Sequence, residues 1–163
     1  MAKNKEEKTN VMRVLEQKKI AYTPHSYPHE EGIAVDGVTV AQSMGFDPAI
    51  VFKTLVARGA SKQYYVFDVP VAENLDLKKA AKAVGEKSIE MIHQKELLPL
   101  TGYVHGGCSP VGMKKLFPTV FHSSAENLAA MIVSAGKIGY QVELAPHDLA
   151  ALVRAKFADI IVD

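Results

Sequence analysis

The chain has 163 residues and a formal net charge of +1, from 19 Lys and Arg against 18 Asp and Glu, with a single cysteine. That length suits one domain spanning 1–163, which buries roughly two-thirds of its unfolded surface with no need of a disulfide or metal. Balanced charge excludes a global attraction to nucleic acid, so any contact with a polyanion must be local.

One cysteine excludes an internal disulfide and points to a reducing, cytoplasmic home. The lysine-rich start lacks the apolar stretch of a secretory signal, and no apolar run approaches the ~20 residues of a membrane span.

In chain order, residues 1–8 read as frayed. Val11, Val14, Leu15 and Lys18 fall at helical spacing, so 10–19 is expected to be a helix with Asn10 as its N-cap. Residues 22–27 are interrupted or followed by Pro24 and Pro28 and read as extended; 30–37 reads as a loop. Helix 39–44 ends at Gly45, and Asp47-Pro48 sets a single turn.

Strands are expected at 51–58 and 64–70, then a helix over 74–84 closed by Gly85. Residues 88–92 are extended, and helix 93–98 is stopped by Pro99. A strand at 103–106 leads into a glycine loop, and another follows at 119–122. Ser123 and Glu126 have capping-box spacing, which predicts a short helix. Strands 131–134 and 140–144 form a hairpin; 146–154 is helical and 157–162 extended. Short strands and helices without a βαβ rhythm predict an α+β fold with a mixed, largely antiparallel sheet.

Lys53 sits inside the apolar run Ile50-Val51-Phe52-Lys53-Thr54-Leu55-Val56-Ala57. Period-two alternation puts Val51, Lys53, Leu55 and Ala57 on one face and Phe52, Thr54 and Val56 on the other. Both faces are mostly apolar, so part of the Lys53 stem should be buried, and buried ammonium groups often serve a site. The alternative is an amine that snorkels to solvent.

In Gly106-Gly107-Cys108-Ser109-Pro110-Val111-Gly112 the paired glycines leave backbone N–H groups unobstructed, able to bind an oxyanion, carbonyl or phosphate, and Ser109 offers a hydroxyl. A tight turn is the competing reading. Ser134-Ala135-Gly136-Lys137 is a small-residue turn with one hydroxyl and one cation.

Cys108 reads as an inert small residue rather than a nucleophile, because no base is fixed beside it. His25 and His29 are four apart, but Pro24 and Pro28 deny them a helix, so no metal site is expected. Lys78, Lys79, Lys82, Lys87, Lys114, Lys115 and Lys137 either line a phosphate-binding patch or are solvated surface.

Four segments together carry a family likeness: 51–55 (VFKTL), 74–79 (NLDLKK), 106–112 (GGCSPVG) and 133–137 (VSAGK). In this order and at these separations they resemble the YbaK/EbsC branch of the YbaK and prolyl-tRNA-synthetase-associated domain family, over about 11–161. The resemblance implies a deacylase acting in trans on mischarged tRNA, usually Cys-tRNA(Pro) and in some cases Cys-tRNA(Cys), with a sheet that is barrel-like at its centre and ringed by short helices.

It further implies Lys53, Gly106 and Gly107 as catalytic, and Tyr27, Thr54, Ser109, Ser134 and Gln141 as substrate-binding. No cofactor or metal is implied. The implied partners are the acceptor end of aminoacyl-tRNA and prolyl-tRNA synthetase. Gln141 stands where the family pattern carries an aspartate. With no acid–base pair evident, substrate-assisted hydrolysis is expected, in which the cysteine thiol attacks its own carbonyl. The rival readings are an Ala-tRNA(Pro) deacylase of the sister branch and a non-catalytic aminoacyl- or nucleotide-binding module.

Overall fold

The computed structural model describes residues 8–163. The expectation of a frayed 1–8 therefore lies outside the described residues, apart from Lys8, whose amine pairs with Glu16 at 3.0 Å.

The molecule is organised on an antiparallel ribbon of β2 (Phe52–Gly59) and β3 (Tyr64–Pro70). Its register sets Lys53 opposite Val69 and Thr54 opposite Asp68. The expected alternation holds. Phe52 and Val56 face one side of the ribbon, while Leu55 and Ala57 pack with Phe67, Val69 and the helix above them. β4 (Ile89–Met91) runs antiparallel to β2, but only from Ala57 to Gly59. β5 (Thr119–His122) and β8 (Ala155–Ala158) add parallel to the far side, giving the order β4-β2-β3-β5-β8. The β3–β5 pair can be parallel because a long crossover separates the two strands.

A second sheet, ordered β1-β7-β6, is antiparallel throughout and comprises β1 (Thr23–Ser26), β6 (Met131–Ser134) and β7 (Tyr140–Leu144). The two sheets meet at a parallel bridge between Val51 and Ile132. The α+β class with a mixed, largely antiparallel sheet is as expected. The sheets wrap around the core without closing into a barrel.

Helix α1 (Asn10–Gln17) is capped by Thr9 rather than Asn10: Met12 N–H donates to Thr9 Oγ1 at 3.3 Å. It buries Val11, Met12 and Leu15 in the cluster that holds Phe52, Phe121, Val142 and Leu149. Helix α2 (Gly37–Met44) ends at Gly45 as expected. The Asp47-Pro48 turn forms, with Asp47 accepting from Ala49 N–H at 2.9 Å.

Helix α3 (Leu77–Val84) starts later than 74, because the Asp76 carboxylate takes the Lys78 and Lys79 N–H groups at 2.9 and 3.0 Å and fixes the N-terminus there. Its Ala80 and Ala81 are small enough to lie against Phe67 and Val69. Lys79 Nζ then ties down the C-terminal segment through Asp159 (3.1 Å), Asp163 (2.6 Å) and the Ile161 carbonyl (2.8 Å).

Three other expectations are corrected. Helix α4 (Gln94–Thr101) runs through Pro99 and ends at Gly102. Its last turn is held by Thr101 Oγ1 donating to Leu97 O (2.7 Å) and Gly102 N–H donating to Leu98 O (2.8 Å), which offsets the one bond proline cannot make. Residues 103–106 are not a strand but a turn, closed by Gly107 N–H on Val104 O. Ser123–Asn127 is a 3₁₀ turn in which Ser123 caps nothing. Helix α5 (Pro146–Val153) and the hairpin 135–139 match the reading. The closing extended segment is shorter and earlier than 157–162.

Because Asp76 both caps α3 and sets its start beside the C-terminal segment, Asp76→Ala should cost about 1 kcal/mol. Thermal unfolding followed by circular dichroism should show Tm lowered by roughly 2–4 °C.

Candidate active site

Between Val51 and Ala57, β2 is paired on one edge only. β3 runs along its whole length, but β6 meets it at Val51 and β4 only from Ala57 onward. A cavity of about 520 Å³ lies at this gap. Since it opens at the strand's edge, Lys53 and Thr54 both line it although they leave opposite faces. Its volume is in the range of small-ligand sites.

Lys53 is half-buried. Burial holds its ammonium below the usual lysine range, while Asp36 and Glu73 pull the other way from a distance. Among the described residues its amine makes no hydrogen bond or ion pair. A partly desolvated cation that forms no ion pair is a ready partner for an anion or a developing negative charge.

The glycine loop approaches from the other side. Gly106 lines the cavity with φ +89, and a Cβ there would stand 2.7 Å from Ala34 Cβ, so only glycine fits. Gly107 does not line the cavity. Its N–H is committed to Val104 O at 2.9 Å, and it lies against the backbone of Lys137 and Ile138. The expected pair of backbone donors is thus displaced by one position. Gly106 and Cys108 both line the cavity, and their N–H groups donate to no group among the described residues.

Ser109 is also turned away. It is fully buried, and its hydroxyl accepts from Val111 N–H at 3.2 Å, which braces the loop. Cys108 is buried with its thiol pushed up to about 12, first by burial and then by the nearby Asp68 carboxylate, so it stays protonated.

The second sheet supplies the third wall. Pairing of β1 with β7 carries Tyr27 to the cavity, where its N–H donates to Gly139 O at 3.0 Å and burial raises its hydroxyl. Ser134 and Gln141 face each other across β6 and β7, and both line the cavity. Ser134 Oγ accepts from Gly136 N–H at 3.1 Å, while Gln141 Oε1 is buried with no partner among the described residues. An unpaired buried amide oxygen is suited to an ammonium or hydroxyl donor from a ligand.

The cavity therefore gathers Lys53, Thr54, Gly106, Tyr27, Ser134 and Gln141, and leaves Gly107 and Ser109 in supporting positions. It also gathers Asp36, His105 and Cys108. The reading missed Asp36 because loop positions carry no periodicity to place them. No group of three or more His, Cys, Asp or Glu suited to a metal occurs among the described residues. His25 instead pairs with Glu143 at 2.7 Å, and His29 bonds the Tyr27 carbonyl at 2.9 Å.

Sequence missed Asp68 altogether. It is fully buried one layer behind Thr54, whose hydroxyl donates to its Oδ1 at 2.5 Å, and its Oδ2 has no partner. Burial raises this carboxyl to about 7, with the Thr54 hydrogen bond opposing. The signal was available, since a carboxylate in the run Tyr64-Tyr65-Val66-Phe67-Asp68-Val69 is as anomalous as Lys53 in its own run.

Residues 34–152 match the family model for the aminoacyl-tRNA editing domain. A protein of Enterococcus faecalis named as a Cys-tRNA(Pro)/Cys-tRNA(Cys) deacylase, EbsC, is 46% identical over 161 residues, covering 98% of each chain. A crystal structure described as a trans-editing enzyme for prolyl tRNA synthetase superposes with a TM-score of 0.79 at 25% identity, covering 94% of this chain and 95% of its own. A hypothetical protein of solved structure shares the fold, with a TM-score of 0.82 at 18% identity over 93% of this chain and 99% of its own. With its lysine strand, glycine loop and serine hairpin arranged around one cavity, the chain belongs to the aminoacyl-tRNA editing domain family.

Proposed function

We propose that the chain is a trans-editing deacylase of Cys-tRNA(Pro), extending to Cys-tRNA(Cys). It works in the cytoplasm as one domain on the acceptor end of the tRNA. The observation that carries this reading is the gathering of a Lys53 amine that forms no ion pair among the described residues and two uncommitted backbone donors, Gly106 and Cys108, around one cavity. The relative named as a Cys-tRNA deacylase, nearly half identical along its full length, supports the substrate.

An aminoacyl ester is already activated, so the main requirement is to stabilise charge that develops on the carbonyl oxygen. The Gly106 and Cys108 N–H groups are the oxyanion donors, and Lys53 adds the cationic field. Gln141 Oε1 accepts from the α-ammonium, and Tyr27 and Ser134 close the pocket around the aminoacyl end. Cys108 takes no part as nucleophile because its thiol remains protonated. The attacking group is the thiol of the substrate, held against its own ester carbonyl. It forms a thiolactone that water then opens.

A missing side-chain group is worth only ~1–3 kcal/mol of discrimination in an apolar pocket, so requiring a reactive thiol rejects alanine better than size does. Selection of the tRNA body comes from local lysines and from association with prolyl-tRNA synthetase.

Deacylation of cysteinyl-, alanyl- and prolyl-tRNA(Pro) in parallel tests the reading: the cysteinyl ester should be cleared and the other two spared. Equal clearance of the alanyl ester would assign the chain to the sister activity, with water as nucleophile. Lys53→Ala should slow Cys-tRNA(Pro) clearance on the order of 100-fold while leaving the circular dichroism spectrum unchanged. Wild-type rates in that variant would exclude Lys53 from the chemistry.

Gly106→Ala should both strain the loop, by about 1–3 kcal/mol, and block the oxyanion position. Activity should be lost beyond what the change in Tm accounts for.

A further inference from the structure

Asp68 is the described residue whose burial is hardest to explain by packing. It lies on the face of β3 that carries Val66, directly opposite Thr54 on β2 and beside Phe121 on β5. Its Oδ1 is held by the Thr54 hydroxyl at 2.5 Å and its Oδ2 by nothing. Thr54 stands between this carboxylate and the cavity, which it lines. A hydroxyl that donates to a carboxylate behind it must present lone pairs to whatever lies in front. A carboxylate with one neutral donor and no cation keeps a high affinity for a proton.

We propose that Asp68 is a positioning residue that accepts the proton of the attacking group through the Thr54 hydroxyl. The inference rests on the deacylase reading and deepens it, since that reading leaves the thiol without a base. The thiol proton passes to Thr54 Oγ1 as Thr54's own proton passes to Asp68 Oδ1. The sulfur electron pair forms the bond to the ester carbon, and the bond from that carbon to the ribose oxygen breaks. The proton then returns through Thr54 to the ribose oxygen, leaving cysteine thiolactone, free tRNA and an ionised Asp68.

The surroundings suit this role. Cys108 is the titratable group nearest Asp68 from the glycine loop, and its thiol stays protonated. Tyr103 lies beyond it, likewise pushed up to about 12, and donates its hydroxyl to the Val111 carbonyl. Thr101 from α4 is uncharged and gives its proton to Leu97 O. His105 lines the cavity. Lys53 leaves the other face of β2, toward Asp36 and Glu73. On the other side of β5, His122 takes the Ile160 N–H and faces Asp159. No group forms an ion pair with Asp68 among the described residues.

Burial lifts the carboxyl from 3.8 to about 7. Between those values the folded chain holds a proton that the unfolded chain has lost. Stability therefore falls as pH rises across that window and levels off above it.

The test is single-turnover deacylation of Cys-tRNA(Pro) from about pH 6 to about pH 9, with the spontaneous rate subtracted. The variants are Asp68→Asn, Thr54→Val and Thr54→Ser, with Glu90→Gln, from the exposed Arg58–Glu90 pair, as a control that keeps the wild-type rate. Asp68→Asn should lose on the order of 100-fold in kcat, with KM little changed, and should lose the acid limb that the wild type shows near neutrality. Thr54→Val should lose the same limb, and Thr54→Ser should recover most of the rate. The Tm of Asp68→Asn relative to wild type should rise with pH across neutrality, which establishes that the carboxyl titrates in the folded chain.

A folded Asp68→Asn with the wild-type rate and acid limb overturns the inference while leaving the deacylase reading intact. If Asp68→Asn does not fold, an unchanged limb in Thr54→Val overturns it in the same way. A wild type that leaves Cys-tRNA(Pro) intact overturns both.

Discussion

The site exists because β2 has a partner on only one edge between Val51 and Ala57. A strand paired on both sides presents its two faces to separate compartments. Here β6 touches the open edge at its start and β4 at its end, and the gap between them becomes a cavity that side chains from both faces reach. Lys53 and Thr54 are neighbours in sequence that point to opposite faces, yet they line one space. The glycine loop, the serine hairpin and Tyr27 need only close around that gap.

The polar groups at this gap differ from those elsewhere in the molecule. Away from it, the buried side-chain nitrogen and oxygen atoms of the described residues have partners. The Glu86 carboxylate takes the hydroxyls of Ser61 and Tyr65 at 2.5 and 2.6 Å, and Lys79 Nζ finds three oxygens. At the gap and just behind it, among the described residues, the Lys53 amine makes no ion pair, and Gln141 Oε1 and Asp68 Oδ2 have no partner. Each unsatisfied buried group costs ~1–3 kcal/mol. A fold retains such groups together where a ligand completes them, and a cation, backbone donors and free acceptors are what the proposed aminoacyl ester would need.

The same arrangement disfavours Cys108 as a nucleophile. Burial and the negative charge of Asp68 both disfavour the thiolate. On the proposed mechanism, the carboxylate that disfavours this thiolate would receive, through Thr54, a proton from the thiol of the substrate.

What the sequence determined by itself was local. Period-two runs placed β2 and β3, the Gly45 and Gly85 stops closed their helices, and the Asp47-Pro48 turn followed from short-range sterics and hydrogen bonding. Lys53 stood out because a charge inside an apolar run has few inexpensive placements. Ser134 was offered by its small-residue turn, while Tyr27 and Gln141 were reached through the family likeness rather than through any rule of spacing.

Tertiary structure alone decided the rest. Gly107 is held off the cavity by the backbone of Lys137 and Ile138, in a hairpin some thirty residues further along the chain. Asp68 meets the cavity's lining only because register sets it opposite Thr54, and an open strand edge sets Thr54 against the cavity. Pairing and burial are properties of the assembled chain, and no window of sequence contains both partners.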